Sequence, residues 1–181
     1  MNSDIKKALD FAVKAHIGQK RKCSDIPYIV HPIGVGLLLM NNLECDEVVI
    51  AGVLHDVLED TEFNENDIKI NFGERVLELV KEASEPDHNN KSWEDRKKHT
   101  IDNLNSISYD GLKVAIADKI NNLESMNNDF YLLGEELWLK FNATKDRQKW
   151  YYSELKKVFE KRIPADNMLI RRFLHFYKIF E

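Results

Sequence analysis

The chain has 181 residues, of which 43% are hydrophobic and 31% are charged, and this is enough apolar content for one buried core. Its formal net charge of −5 excludes the broad basic surface that binding to nucleic acid requires, so an anionic ligand needs a local basic cluster. The apolar segment GVGLLLM is far too short to span a bilayer. We therefore expect one domain over residues 1–181 that binds neither nucleic acid nor membrane.

The cysteines indicate a reducing compartment. Cys23 and Cys45 lie far apart in the chain, and neither has the close cysteine partner of a CxxC redox or zinc motif. The sequence also shows no secretory leader. Because disulfides are rare in the cytosol, we expect two free thiols in a cytoplasmic protein.

Helical periodicity dominates the chain from its first residues. Ile5, Leu9, Ala12 and Val13 recur at helical spacing behind Ser3, a plausible N-cap. Further helices are predicted over residues 32–41, 46–59, 65–71, 74–84, 92–105, 109–126, 135–141, 145–162 and 165–180. The pattern predicts an all-α fold.

The predicted helix boundaries agree with the residues found there. Asn64, Ser92 and Thr144 are of types that favour N-caps, and the few glycines and prolines fall mostly between the predicted helices. We therefore expect a single compact domain of about eight to ten helices, in which residues 165–181 form a C-terminal helix that packs on the body or on a partner subunit.

Ionisable residues interrupt three of the apolar segments. HDVLED begins with His55 and Asp56, PYIVHPIGV places His31 at the start of an apolar helix, and LKVAIADKINNL places Asp118 among apolar residues. A buried carboxylate without a partner costs several kcal/mol or stays protonated, whereas a divalent cation neutralises it. Two imidazoles and two carboxylates suit Mn, Fe, Co or Zn. The alternative for each residue separately is a salt bridge to a neighbouring lysine, arginine or histidine.

These motifs together resemble the HD-domain metal-dependent phosphohydrolases. Within that family, the motifs most resemble the hydrolase domain of the RelA/SpoT homologues, which degrade the alarmone (p)ppGpp. It runs from about Ala8 to Tyr152 and is carried by AHIGQKRK, PYIVHP, LHDVLEDT and ADKINN in that order. The resemblance implies a helical HD domain and places the metal ligands on His31, His55 and the two aspartates named above.

The resemblance also implies the cofactor and the hydrolytic residues. Mn²⁺ is the expected ion, with another divalent transition metal as the alternative. Glu59 and Asn122 correspond to the family's hydrolytic pair, and each lies one helical turn from a predicted ligand, where it can hold or orient a water. Asp60 is either a further acid of the catalytic site or an exposed capping carboxylate.

The chain departs from the family pattern beside the predicted ligands. The glycine and glutamate usual before PYI are here Asp25 and Ile26, and Gly34 and Gly36 loosen the following helix. These departures affect the expected substrate preference more than the expected chemistry.

Basic residues are the expected contacts to the phosphates and the nucleotide. By resemblance these are Arg21 and Lys22 of HxGQxRK, Lys97 from the basic cluster in WEDRKK, and Arg147 with Tyr151, which are four residues apart and share a helix face. The alternatives are solvated charges, and for Tyr151 a place in the core.

The resemblance implies hydrolysis of the 3′-diphosphate of (p)ppGpp to GDP or GTP and pyrophosphate. Because 181 residues leave no room for a synthetase domain, we expect a small stand-alone hydrolase that binds a guanosine nucleotide and forms a monomer or a homo-oligomer. One alternative is a phosphatase for another nucleotide, such as NADPH at its 2′-phosphate. The other is a non-catalytic HD-fold nucleotide-binding protein, which would have no use for a water-activating acid at Glu59.

Overall fold

The computed structural model describes residues 2–21, 24–85 and 92–181, and helices make up most of this part. The α-helices are α1 (Ser3–Ala15), α2 (Val30–Asn41), α3 (Asp46–Leu54), α4 (Val57–Asp60), α5 (Glu65–Phe72), α6 (Glu74–Ala83), α7 (Trp93–Leu104), α8 (Tyr109–Leu133), α9 (Lys145–Arg162) and α10 (Met168–Tyr177). Two 3₁₀ segments cover Gly134–Lys140 and Lys178–Phe180. The all-α fold is confirmed: in the described ranges the only β pairing is an isolated bridge between Lys20 and Pro27.

Local capping sets most helix boundaries. Asn64, Ser92 and Thr144 each accept a backbone hydrogen bond as N-caps of α5, α7 and α9, as predicted. The prediction for α1 was wrong by one residue, because the Asn2 side chain rather than Ser3 accepts from the Asp4 amide. Helix α8 continues beyond its predicted end and stops at Gly134, whose φ of 57° suits a residue without a side chain.

A break at His55 and Asp56 replaces the single helix predicted over residues 46–59. Helix α3 ends at Leu54 and α4 begins at Val57. The carbonyl of His55 accepts instead from the Ser84 hydroxyl at 3.2 Å, so it stays hydrogen-bonded outside the helix ladder. Both residues keep right-handed helical backbone angles through the break, and their side chains meet, with His55 Nε2 3.0 Å from Asp56 Oδ2.

Two helices organise the core around this turn. Helix α3 is buried on all sides from Val48 to Leu54 and packs against α1, α2, α6 and α8. Helix α8 packs against α2, α3, α6 and α10, and it carries Asp118. The C-terminal helix α10 packs on α8 and α9. Within the described ranges, no helix combines the length and the apolar character that crossing a bilayer would need.

Candidate metal and phosphate site

The four predicted ligands converge where α2, α8 and the turn after α3 meet. His31 Nε2 lies 3.2 Å from Asp118 Oδ1 and 3.5 Å from Asp56 Oδ2. His55 Nε2 lies 3.0 Å from Asp56 Oδ2 and 3.8 Å from Asp118 Oδ1. Ligand atoms that share one ion at about 2.0–2.2 Å are roughly 3–4 Å from one another. The ligand atoms of His31, His55 and Asp118 all lie within 4.8 Å of one another, which suits a single cation, and Asp56 Oδ2 lies next to both histidines.

Both histidines present the same ring nitrogen to the aspartates. His31 Nδ1 lies 2.8 Å from Asn121 Oδ1, and His55 Nδ1 lies 2.8 Å from the Gly52 carbonyl. Each acceptor holds the proton on Nδ1, which leaves the Nε2 lone pair for a ligand. His55 Nε2 is buried and has no hydrogen-bond partner among the described residues. The two facing carboxylates stabilise a positive charge at this nitrogen, either a proton or a cation that replaces it, so these residues fit a divalent metal.

The electrostatics of the site favour positive charge between these side chains. Burial lowers the pKa of His55, but Asp56 and then Asp118 outweigh it and raise that pKa to about 9. Burial raises the pKa of Asp56, and the imidazole of His55 more than offsets this, so the Asp56 pKa falls below its usual range. The pKa of Asp118 is also well below its usual range, because Lys119 and the two histidines outweigh the effect of burial. Both carboxylates are therefore ionised at neutral pH.

Two residues that the sequence analysis missed hold these carboxylates. The Tyr28 hydroxyl donates to Asp56 Oδ2 at 2.5 Å, and the Lys119 ammonium donates to Asp118 Oδ2 at 2.6 Å. Tyr28 lies three residues before His31 in PYIVHP, and Lys119 directly follows Asp118 in an apolar helix. The salt bridge that was the alternative to a metal thus exists at one oxygen of Asp118, while the other oxygen faces the histidines.

Asn122 and Arg21 lie on the other side of Asp118. The Asn122 amide donates to Asp118 Oδ1 at 2.6 Å, and Arg21 donates to Asn122 Oδ1 at 3.2 Å. The Arg21 guanidinium also lies 5.8 Å from the centroid of the Tyr28 ring. The structure therefore brings both residues to the ligand set, whereas Lys22 lies outside the described residues.

The two acids after the His55–Asp56 turn make different contacts. Glu59 Oε1 accepts from the Glu85 amide at 2.5 Å. The backbone carbonyl of Asp60 accepts from the side-chain amide of Gln19 at 2.6 Å. The charge of Asp60 also contributes, after burial and Asp56, to a pKa of Tyr28 that lies above its usual range. Asp60 is therefore close enough to influence the ligand set electrostatically.

Lys97 and Lys119 place two ammonium groups in one partly buried region. Lys97 donates to Glu85 Oε1 at 2.5 Å and lies 5.0 Å from the centroid of the Tyr151 ring. Burial and the charge of Lys119 lower the pKa of Lys97. Tyr151 is only 3% exposed, and burial raises its pKa to about 12 against the opposing charge of Lys119. Lys119 thus lies beside the predicted ligand Asp118, and Lys97 and Tyr151 lie close enough to Lys119 to interact with its charge.

Arg147 lies near Tyr151 but at a more exposed position. Its guanidinium pairs with Glu94 and lies 5.2 Å from the centroid of the Trp93 ring. The Trp93 ring is in turn 6.1 Å from that of Tyr151. Arg147 is 41% exposed at its side chain, so it is accessible to a ligand at the rim while Tyr151 lies in the core.

The chain is similar to known proteins along most of its length. A family model described as "HD domain" matches residues 8–148. The guanosine-3′,5′-bis(diphosphate) 3′-pyrophosphohydrolase MESH1 of Homo sapiens is 33% identical over 128 residues, which are 69% of this chain and 70% of that protein. The guanosine-3′,5′-bis(diphosphate) 3′-pyrophosphohydrolase of Borreliella burgdorferi is 35% identical over 127 residues, which are 68% of this chain but 19% of that protein.

Solved structures show the same helical arrangement. One, described as a metazoan ortholog of SpoT that hydrolyzes ppGpp, matches with a TM-score of 0.80 and 25% identity over 99% of this chain and 96% of that chain. The crystal structure of a Listeria monocytogenes EGD-e protein matches with a TM-score of 0.74 and 33% identity over 83% of this chain and 98% of that chain. The first likeness, at 99% of this chain, extends over the elements that hold the four predicted ligands.

Proposed function

The chain belongs to the HD domain family, and we propose that it hydrolyses the 3′-diphosphate of (p)ppGpp to GDP or GTP and pyrophosphate. The observation that carries the proposal is the buried Nε2 of His55, which faces the ionised carboxylates of Asp56 and Asp118, with the Lys119 ammonium on the far oxygen of Asp118. Such a set binds a cation and a polyanion side by side. The activities named for the human and bacterial relatives identify the polyanion.

We propose that His31, His55, Asp56 and Asp118 hold a divalent metal, with Mn²⁺ as the ion. The mixed nitrogen and oxygen donors support this choice, because they suit a transition metal better than Ca²⁺ or a structural zinc site. Such an ion supplies Lewis-acid polarisation of a phosphoryl oxygen and of a water molecule. Tyr28 and the other neighbours described above keep the aspartates in place for it.

Glu59 is proposed as the general base of the reaction. The oxygen of water bonds to the phosphorus attached to the 3′ oxygen, the bond between that phosphorus and the 3′ oxygen breaks, and pyrophosphate leaves. Glu59 takes one proton of the water and gives it up again to the departing 3′ oxygen, which ends as the 3′ hydroxyl of GDP or GTP. Asn122, which is held between Asp118 and Arg21, is placed to orient the water or a phosphate oxygen. Asp60 is proposed to support this pair through its charge.

Arg21, Lys97, Lys22 and Arg147 are proposed to offset the charge of the substrate. A guanidinium binds phosphate with two donors and stacks on a base, which suits Arg21 near the Tyr28 ring and Arg147 on the Trp93 ring. Tyr151 then acts from the core, by supporting Lys97 through its ring.

The test is incubation of the purified, Mn²⁺-loaded protein with a panel of nucleotides, followed by chromatography of the products. We expect ppGpp to yield GDP and pyrophosphate. Glu59→Gln should keep the metal and nucleotide binding but lose about 10²–10⁴-fold in rate, the usual contribution of a general base. Glu62→Gln, which changes an exposed acid close in sequence, is the matched control and should keep the wild-type rate.

Three outcomes contradict parts of this proposal. Wild-type turnover by Glu59→Gln at saturating metal and substrate removes the assigned base. Release of phosphate from NADPH, with ppGpp left intact, assigns the chain to a different nucleotide. Binding of ppGpp without turnover of any nucleotide leaves a non-catalytic HD-fold binding protein.

We further propose one domain over residues 1–181 that works in the cytoplasm. The packing of α10 on α8 and α9 supports a single body, and the free, exposed thiol of Cys45 is compatible with a reducing compartment. Exposed apolar side chains at Tyr131, Leu132 and Leu139 support a homo-oligomer. Light scattering coupled to gel filtration measures the oligomeric state.

A further inference from the structure

We infer that Asn121 is a positioning residue for His31, and that Gly34 is the residue that gives Asn121 the space to act. Asn121 is the residue before the proposed hydrolytic Asn122, and Gly34 lies one turn after His31 on α2. Neither residue has a role of its own in the proposed reaction. Their importance is that they determine which nitrogen of His31 is available to the metal.

The contact between Asn121 and His31 fixes the ring. Asn121 Oδ1 lies 2.8 Å from His31 Nδ1, and His31 itself is only 3% exposed. An amide oxygen can only accept, so it selects the ring form with its proton on Nδ1. Without this acceptor, a proton on Nε2 could be donated to Asp118 Oδ1 at 3.2 Å, which would block the ligand position.

Gly34 leaves open the space that the side-chain amide of Asn121 occupies. A Cβ built on Gly34 would overlap Asn121 Nδ2 and would lie 3.2 Å from its Cγ and 3.5 Å from its Oδ1. These three Asn121 atoms are the nearest atoms to that Cβ. A methyl group at position 34 would therefore displace one side chain, and the displacement would break its bond to His31. Ordinary helix preference disfavours glycine here by roughly 0.5–1 kcal/mol relative to alanine, so the space rather than the helix explains this residue.

The inference rests on the proposed function in one respect, namely that His31 binds the metal. It needs no particular substrate. Outer hydrogen bonds to ligating histidines typically change metal affinity by about 10–100-fold when they are removed. Asn121→Ala and Gly34→Ala should each weaken Mn²⁺ binding within that range, because both abolish the same hydrogen bond.

The decisive experiment is a double-mutant cycle read out by Mn²⁺ affinity and thermal unfolding. If the two residues act through one contact, Gly34→Ala should cause no further loss of affinity in the Asn121→Ala background. When Asn121 has been replaced by alanine, the methyl group added by Gly34→Ala has no amide to displace. Gly34→Ala should then raise the unfolding temperature, because alanine has a higher helix propensity than glycine. Asn121→Asp keeps an acceptor oxygen and should restore the His31 ring form.

Gly36→Ala is the matched control on the same helix. A Cβ at Gly36 would lie 2.5 Å from Val53 Cγ2, so this variant damages packing without touching Asn121. It should lower the unfolding temperature in either background and leave the ring form of His31 unchanged. The ring ¹⁵N chemical shifts of His31 in the metal-free protein report that form directly, without any assay of activity.

The inference would be overturned if the loss of Mn²⁺ affinity in the double variant equalled the product of the two single losses. It would also be overturned if Asn121→Ala left the ¹⁵N shifts of His31 unchanged. If these readouts behave as expected while ppGpp is not hydrolysed, only the proposed substrate fails. If ppGpp is hydrolysed and the cycle is multiplicative, only the positioning role fails.

Discussion

Proton competition at His55 should make metal binding strongly pH-dependent. Without a metal, the neighbouring carboxylates raise the pKa of His55 to about 9, against the effect of burial. A cation that binds Nε2 must therefore displace this proton at neutral pH. Asp56 and Asp118 have pKa values below their usual range and do not take up the released proton.

The expected magnitude follows from the difference between this pKa and the pH. At about pH 7 the proton lowers the apparent Mn²⁺ affinity about 100-fold relative to the fully deprotonated ring, which is about 3 kcal/mol. The affinity should rise about tenfold per pH unit between about pH 6 and about pH 8.

The metal-free protein should show the opposite trend in stability. A folded pKa of about 9, above the ordinary value of 6.5, means that His55 contributes stability that is fully present below about pH 6.5. That contribution is lost as the pH rises through about 9. Higher pH should therefore strengthen metal binding and weaken the metal-free fold.

Calorimetric titration with Mn²⁺ in buffers of different ionisation enthalpy measures both the affinity and the number of protons released. We expect about one proton per ion at neutral pH. His175→Gln removes an exposed histidine on α10 and should leave the pH dependence of the Mn²⁺ affinity unchanged. His55→Ala, in contrast, should abolish the metal site. A wild-type affinity that stays flat between about pH 6 and about pH 8 would refute the reasoning.

Two further variants test the surroundings of the site. Arg21→Ala should raise the KM for ppGpp by about 10–100-fold with a smaller effect on kcat, since it removes a charged contact, whereas Lys20→Ala, which loses an exposed pair with Asp25, should not. Equal KM values for the two variants would contradict this role. Gly111→Ala should destabilise the fold by about 1–3 kcal/mol, because a Cβ there would overlap the Glu82 carboxylate that accepts from the amide of Ser108, the N-cap of α8. An unchanged unfolding temperature would show that Glu82 moves aside freely.

The sequence predicted the helices well where their signals are local. Capping by Asn64 or Thr144 depends on residues within one turn, and periodicity depends on neighbours three or four residues away. The turn at His55 and Asp56 was missed because the apolar pattern continues through it to the buried Val57. Its hydrogen-bond compensation comes from Ser84, which no local pattern connects to His55.

The same distinction applies to the site. The candidate ligands could be picked out because histidine and aspartate conflict with an apolar helix, and this conflict is visible in the sequence itself. Tyr28 and Lys119 were missed because nothing local distinguishes a tyrosine that holds Asp56 from one that packs, or a buried lysine from an exposed one. Lys119 is in fact only 16% exposed at its side chain. Such roles depend on tertiary geometry.

The charges of the site explain how a chain with a net charge of −5 can bind a polyphosphate. Lys119 is paired with Oδ2 of Asp118 and Lys97 is paired with Glu85, so a phosphate must compete with these carboxylates for the two lysines. Arg21 lies on the Oδ1 side, where it donates to the neutral amide of Asn122. A phosphate that binds Arg21 displaces only a neutral acceptor, at a smaller cost than separating an ion pair. This asymmetry is why we expect Arg21 to determine ground-state affinity, while Lys119 keeps the Asp118 carboxylate ionised and in position for the metal.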